Sequence, residues 1–302
     1  MQNHRIRKVT SVTGVITTVA GTGTAGYDGD GGLATAAMIK NPYGVNLDNS
    51  GNVYFGDLQA YNVVRKITVS SGIITTVAGT GSTSGEYNGD NIQATAATLN
   101  WPSDVVVDSY GNLYIADRFN FRIRKVDAST GLITTVVGTG DASSTSDGSV
   151  ATAAAINGPG FSRFDSAGNY YITEAGGNRV RKVITVKTEM PSVEPTYYPS
   201  LSPHSISIIT TVAGTGVSSF SGDGGPATSA AFSSPHGIAV DSSGNVYFSD
   251  IFYNRVRKIT SSTNIISTYA GTGASSFYGD GGVASSAAVY YPIGLFVDTS
   301  GM

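Results

Sequence analysis

The chain has no cysteine, three histidines, one tryptophan and only 13% charged residues. Without cysteine there is no disulfide framework and no thiolate chemistry, and the redox compartment cannot be read. A zinc site needs three or four converging ligands, and His4, His204 and His236 are too few and too scattered to supply them. The net charge is −3, so no basic surplus exists to bind a phosphate backbone, and no nucleic-acid partner is expected. No apolar run approaches 18 residues, and the opening M-Q-N-H-R-I-R-K-V lacks the apolar stretch of a signal peptide. No membrane insertion is therefore expected. A G-x-S-x-G nucleophile elbow is absent, and G-x-G phrases such as Gly21-Thr-Gly23 open no dinucleotide-binding βαβ unit.

What is abundant is repetition. I-T-T-V-A-G-T-G begins at Ile16, Ile74 and Ile209, with the variants I-T-T-V-V-G-T-G at Ile133 and I-S-T-Y-A-G-T-G at Ile266. The spacings are 58, 59, 76 and 57 residues. A fixed period of this size signals a repeat architecture. Within the copy from Pro235 to Gly273, four short runs rich in β-branched and aromatic residues alternate with Ser/Gly/Asn turns. They are H-G-I-A-V-D, V-Y-F-S-D, R-V-R-K-I-T and I-I-S-T-Y-A. Four such runs predict an antiparallel meander, the blade of a propeller. The D-x-x-G-N phrases at Asp48–Asn52, Asp108–Asn112, Asp165–Asn169 and Asp241–Asn245 predict the turn between first and second strands. Between blades, an Ala-rich connection such as S-G-D-G-G-P-A-T-S-A-A-F from Ser221 predicts about one helical turn packed by its alanines.

The expected fold is all-β: one propeller domain over 1–302, with about five four-stranded blades. Four are complete, and a fifth is split between the two ends and lacks its second strand. The chain is accordingly expected to be a fragment of a larger propeller. One copy departs from the period. In it, 27 residues separate Lys182 from Ile209, against 8 between Lys125 and Ile133. The added segment carries Pro191, Pro195, Pro199 and Pro203, which predicts an extended, solvated loop over 184–206.

The phrases P-H-G-I-A-V-D-S-S-G-N-V-Y-F-S-D-I-F-Y-N-R-V-R-K-I, I-T-T-V-A-G-T-G and S-G-D-G-G-P-A-T resemble those of NHL-repeat β-propellers, of the kind found in long bacterial NHL proteins and teneurin-like extracellular proteins. The resemblance covers essentially the whole chain outside the insert. It implies the fold, and leaves function open because propellers host unrelated activities. Propellers of this family commonly have six blades. Those that act as amidating lyases use metal-bound histidines, and no matching constellation is present. The P-S-x-x-P-T pattern of the insert is similar to that of secreted and wall proteins, and tilts the parent protein toward an extracellular, O-glycosylated setting.

Fourteen of the 18 basic residues fall in the third strands, and acids recur with the same period. These are Asp57, Asp117, Glu174 and Asp250 after the second strand, and Asp30, Asp90, Asp147, Asp223 and Asp280 in the connections. A common period favours ion pairing over a polyanion-binding ring. Asp28-Gly-Asp30 resembles part of a calcium loop but lacks the remaining oxygen ligands. No metal or cofactor is expected.

Function is sought where copies differ, in the loops after the second strand and at the entrance to the first. There the candidates are Tyr43, Trp101, Arg118, Phe119, His236, Phe252 and Tyr291, a rim suited to a protein segment or a glycan. Tyr61, Phe121 and Tyr253 are expected to pack between blades. The reading is a non-enzymatic interaction or structural module. The alternative is a lyase or hydrolase with a channel site, metal-dependent or carboxylate-based.

Overall fold

Each predicted run of the four complete blades is a strand in the computed structural model, which describes residues 3–58, 61–145, 147–187 and 205–298. A two-stranded hairpin, β1 (Ile6–Val9) and β2 (Ile16–Ala20), comes first. The first blade is β3 (Pro42–Leu47), β4 (Val53–Asp57), β5 (Val63–Thr68) and β6 (Ile73–Ala78). The second opens with the two-residue β7 (Ile92–Gln93) and continues with β8 (Pro102–Val107), β9 (Leu113–Asp117), β10 (Arg122–Val126) and β11 (Leu132–Val137). The third comprises β12 (Ser149–Val150), β13 (Pro159–Phe164), β14 (Tyr170–Glu174), β15 (Arg179–Lys187) and β16 (Ser205–Ala213). The fourth is β17 (Pro235–Val240), β18 (Val246–Asp250), β19 (Arg255–Thr260) and β20 (Ile265–Ala270).

The four sheets are antiparallel meanders set in a ring. Their inner strands β3, β8, β13 and β17 lie side by side in that order. Opposite blades meet across the axis: the rings of Tyr43 and Phe161 are 5.5 Å apart. The shared fifth blade is not formed among the described residues. The hairpin β1–β2 pairs with nothing else, and residues 291–298 carry no strand. With no second strand between them, the two segments have no ladder to join. The insert also differs from expectation at its flanks. The β15–β16 ladder runs on through Ile184↔Ile208 to Lys187↔Ser205, so those flanks are paired strand. The four prolines lie outside the described residues.

Packing follows the repeat. Four apolar clusters sit between successive sheets, for example Phe161 and Val180 of the third against Ile238 and Phe248 of the fourth. Each connection makes a single 3₁₀ turn, as at Ala94–Ala96 and Ala227–Ser229. In the connections that precede the four blades, the first alanine of the turn, the alanine after it and the last apolar residue are buried, as Ala227, Ala230 and Phe232 are. The connection lies over the blade that follows it, where β7 pairs with β11 and β12 with β16. This covers a sheet edge that would otherwise template association. In the D-x-x-G-N turns, Asp48 Oδ1 accepts the backbone N–H groups of Ser50 and Asn52, each at 2.9 Å, and the other copies match.

The basic residues of the blades' third strands separate into three roles. The arginine that precedes the lysine in the third strand of each of the four blades is fully buried and bridges two acids, whereas Arg7 of the hairpin is exposed. Arg65 meets Asp30 (2.7 Å) and Asp57 (3.5 Å), Arg124 meets Asp90 and Asp117, Arg181 meets Asp147 and Glu174, and Arg257 meets Asp223 and Asp250. The pairing reading holds for these four. The other basic residues of the blades' third strands depart from it. The first arginine donates to the carbonyl of the A-G-T-G or V-G-T-G threonine, as Arg122 does to Thr139 (2.6 Å) and Arg255 to Thr272 (2.6 Å). The lysine caps a tyrosine ring of the neighbouring strand, as Lys66 does Tyr54 at 5.5 Å and Lys258 does Tyr247 at 5.3 Å.

Candidate functional site

The rim residues are held by backbone devices of the repeat. Trp101 and Tyr291 each stand just before a proline, Pro102 at the start of β8 and Pro292 in the C-terminal segment, with φ of 58° and 52°. Their N–H groups donate to Asn62 Oδ1 (3.1 Å) and Asn254 Oδ1 (3.0 Å) of the preceding blade. The same clasp joins Ser234 to Asn178, and Asn41 N–H to His4 Nδ1. Tyr43 and His236 are the second residues of β3 and β17, at the axis end of their strands. Arg118 and Phe119 form the short turn after β9, and Phe252 the corresponding turn after β18.

Six of the seven expected residues (Tyr43, Trp101, Arg118, His236, Phe252 and Tyr291) line one cavity of about 290 Å³ at the axis. Phe119 is joined to it through Trp101, ring centroids 5.6 Å apart edge to face. A second aromatic pair, Phe252 and Tyr291, stands at 6.3 Å. Phe252 is 63% exposed and His236 6%, so the cup is aromatic at its lip and polar at depth. Leu58, Ser234 and Ile251 also line it, and sequence reading missed them because the first and last occupy a position that is apolar in most copies. Tyr61 and Tyr253 face away onto the connections, ring to ring with Tyr27 (5.1 Å) and Phe220 (5.8 Å), while Phe121 takes a left-handed turn with φ of 52°.

At depth, blades two and four touch. Arg118 Nη1 lies 3.0 Å from His236 Nε2, and His236 Nδ1 lies 3.0 Å from the Ser234 carbonyl oxygen. A carbonyl only accepts, so the ring proton is on Nδ1. Nε2 then offers its lone pair to the guanidinium. Burial, joined by the Arg118 charge, pushes the imidazole pKa down to about 4. Burial also lowers the Arg118 pKa, and pushes the Tyr43 hydroxyl up to about 12.

This has a testable pH signature. Between pH 6.5 and about 4 the unfolded chain takes up a proton at His236 that the folded chain refuses. The fold therefore loses stability as pH falls through that window, by up to ~3 kcal/mol. Urea midpoints of the wild type and His236→Gln should diverge below pH 6.5, with the variant lacking this part of the slope. An imidazole NMR titration centred near 6.5 would contradict it.

Below the cup, Asp104 is fully buried. It accepts from Asn46 Nδ2 of β3 and from Ser162 N–H and Arg163 Nη1 of β13, each at 2.9 Å. Burial raises its pKa, against the pull of Arg163. Sequence analysis did not single this residue out. Its signal was substitution within the repeat, since the matching positions are Gly44, Phe161, Gly237 and Gly294. The carboxylate is committed to tying three inner strands together. Among the described residues, no group of three or more His, Asp or Glu side chains is arranged to hold a metal ion. Asp30 is engaged by Arg65 and by the Thr76 N–H (3.0 Å).

Residues 82–159, which hold the second blade and its flanking connections, match the teneurin NHL domain family. Teneurin-1 of Gallus gallus is 35% identical over 109 residues, 33% of this chain, and teneurin-1 of Homo sapiens is 33% identical over 108 residues. The chain spans 4% of the length of either relative. Among solved structures, an auxiliary nutrient binding protein from Bacteroides ovatus aligns with a TM-score of 0.62 at 18% identity. The alignment covers 99% of this chain and 60% of that one. A protein of the same description from Bacteroides thetaiotaomicron gives 0.59 at 15%, with the same coverage of both chains. These structural likenesses are of fold alone. Repeat phrases, blade topology and the matched segment together show a β-propeller that is similar over residues 82–159 to the NHL domain of teneurins.

Proposed function

We propose that this propeller is a non-enzymatic interaction module that binds a protein segment or a glycan in the axial cup. The observation that carries the reading is convergence: rim residues from three blades and the C-terminal segment, unrelated in sequence, line a single cavity. Its two aromatic pairs present large apolar faces with few side-chain torsions to freeze, the composition that anchors binding hot spots. The groups best suited to proton transfer are otherwise occupied. The free lone pair of His236 is taken by Arg118, and Asp104 is saturated by donors below the cup. The extracellular setting suggested by the insert accords with the teneurin likeness.

The test is a panel of peptides and glycans probed with the wild type, Trp101→Ala and Phe252→Ala. A ligand that uses the cup should lose at least tenfold in affinity in either variant, about 1.4 kcal/mol. Circular dichroism should be unchanged, because both side chains stand at the lip. Unaltered binding in both variants removes the cup from the reading. Turnover of any panel member would replace it with the enzymatic alternative.

A further inference from the structure

We infer that the cup recognises a carboxylate, held by the guanidinium of Arg118 between the two aromatic pairs. This rests on the binding reading above and gives the ligand its chemistry. The first observation is the place of Arg118 in the repeat. The residue following the second-strand acid is Leu58 in the first blade, Ala175 in the third and Ile251 in the fourth. All three are buried apolar side chains. The second blade alone puts a cation there, and turns it across the axis to the opposite blade.

The second observation is what Arg118 lacks. The four buried third-strand arginines, Arg65, Arg124, Arg181 and Arg257, each have two carboxylate partners. Arg118 is half-buried and has no carboxylate partner among the described residues; its polar contact is the neutral His236. A guanidinium carries five N–H donors in a planar fork that matches a carboxylate. One is used by His236. The described lining of the cup holds no acid and adds the hydroxyls of Tyr43, Tyr291 and Ser234. A cation in this setting has exchanged water for few partners, so an anionic group entering the cup restores what burial removed.

The third observation is size and charge. The cavity of about 290 Å³ admits one side chain or one sugar ring. Arg118 is its one charged lining group among the described residues. That matches a single negative charge and leaves a phosphate dianion half-compensated. The flanking rings suit a flat or apolar group carrying the carboxylate.

The experiment titrates the protein with two matched pairs, followed by NMR. N-acetylphenylalanine is compared with its amide, and glucuronic acid with glucose. At least one acid should bind tenfold or more tightly than its neutral partner. A preference in the first pair assigns the carboxylate to a peptide, and in the second to an acidic sugar; either supports the inference. Arg118→Leu installs the residue that the first blade uses, so the variant is expected to fold, and it should abolish the preference. Arg118→Lys, which keeps the charge but not the fork, should retain part of it. An acid that binds no more tightly than its neutral partner overturns the inference, as does a preference that survives Arg118→Leu. Trp101→Ala separates that failure from failure of the cup. Weaker binding of the neutral probes in this variant leaves the cup standing without the carboxylate, whereas no change removes both.

Discussion

Arg124→Met is expected to destabilise the second blade by roughly 3–5 kcal/mol. Arg124 is completely buried between Asp90 (3.0 Å) and Asp117 (3.6 Å), and also donates to the Gly89 carbonyl at 2.7 Å. Methionine fills similar space but leaves Asp117 as a buried carboxylate without its cation. Burial already pushes Asp117 up to about 6, despite the Asn100 N–H, Asn120 and Arg124 working the other way. Removing the guanidinium raises it further, so the variant's fold favours the protonated acid. Its penalty should accordingly be smaller at pH 5 than at pH 8. A second substitution, Asp117→Leu, should recover much of the loss, because an apolar pair can replace a buried ionic one at little cost. Hydrogen exchange localises the effect, with protection falling in β9–β11 before β18–β20. A loss under 1 kcal/mol at pH 8 would show that the buried pairs are energetically idle.

Gly138→Ala should be severely damaging for a single added methyl, costing roughly 2–5 kcal/mol from backbone strain and overpacking together. Gly138 has φ of 101°, and an added Cβ would fall inside the envelope of the Phe121 carbonyl oxygen and 3.0 Å from Arg122 Cα. Both atoms are backbone and cannot step aside. Gly148 supplies the control: its φ is 83°, but its Cβ would meet open space. Gly148→Ala should cost only the conformational part, about 1–2 kcal/mol. Equal midpoints for the two variants in urea would contradict the steric argument.

The five copies made the strands and turns legible, because period, β-branched runs and D-x-x-G-N turns all point to the same blade. The destinations of the basic residues were only partly legible. R-x-R-K announces a shared role, yet a register shift in the strand falls between its two arginines, and one goes to a turn carbonyl while the other enters the core. The rim was legible as a set of exceptions to the repeat. Its chemistry was not, because Arg118 and His236 are 118 residues apart and meet only across the axis. Asp104 was harder still. A single acid in place of a glycine looks like any loop variation until the inner strands are brought together around it.

The placement of each connection over the blade that follows gives the molecule a direction. One of the two acids that flank a blade's buried arginine, and the short strand that covers its outer edge in the second and third blades, come from the chain just upstream. A blade emerging during synthesis therefore finds its counter-ion and its edge guard already made. Trimming from the C-terminal side leaves each remaining blade with both. Trimming from the N-terminal side strips the next blade in line, leaving its buried arginine with one of its two acids and, where such a strand exists, a bare strand at its margin.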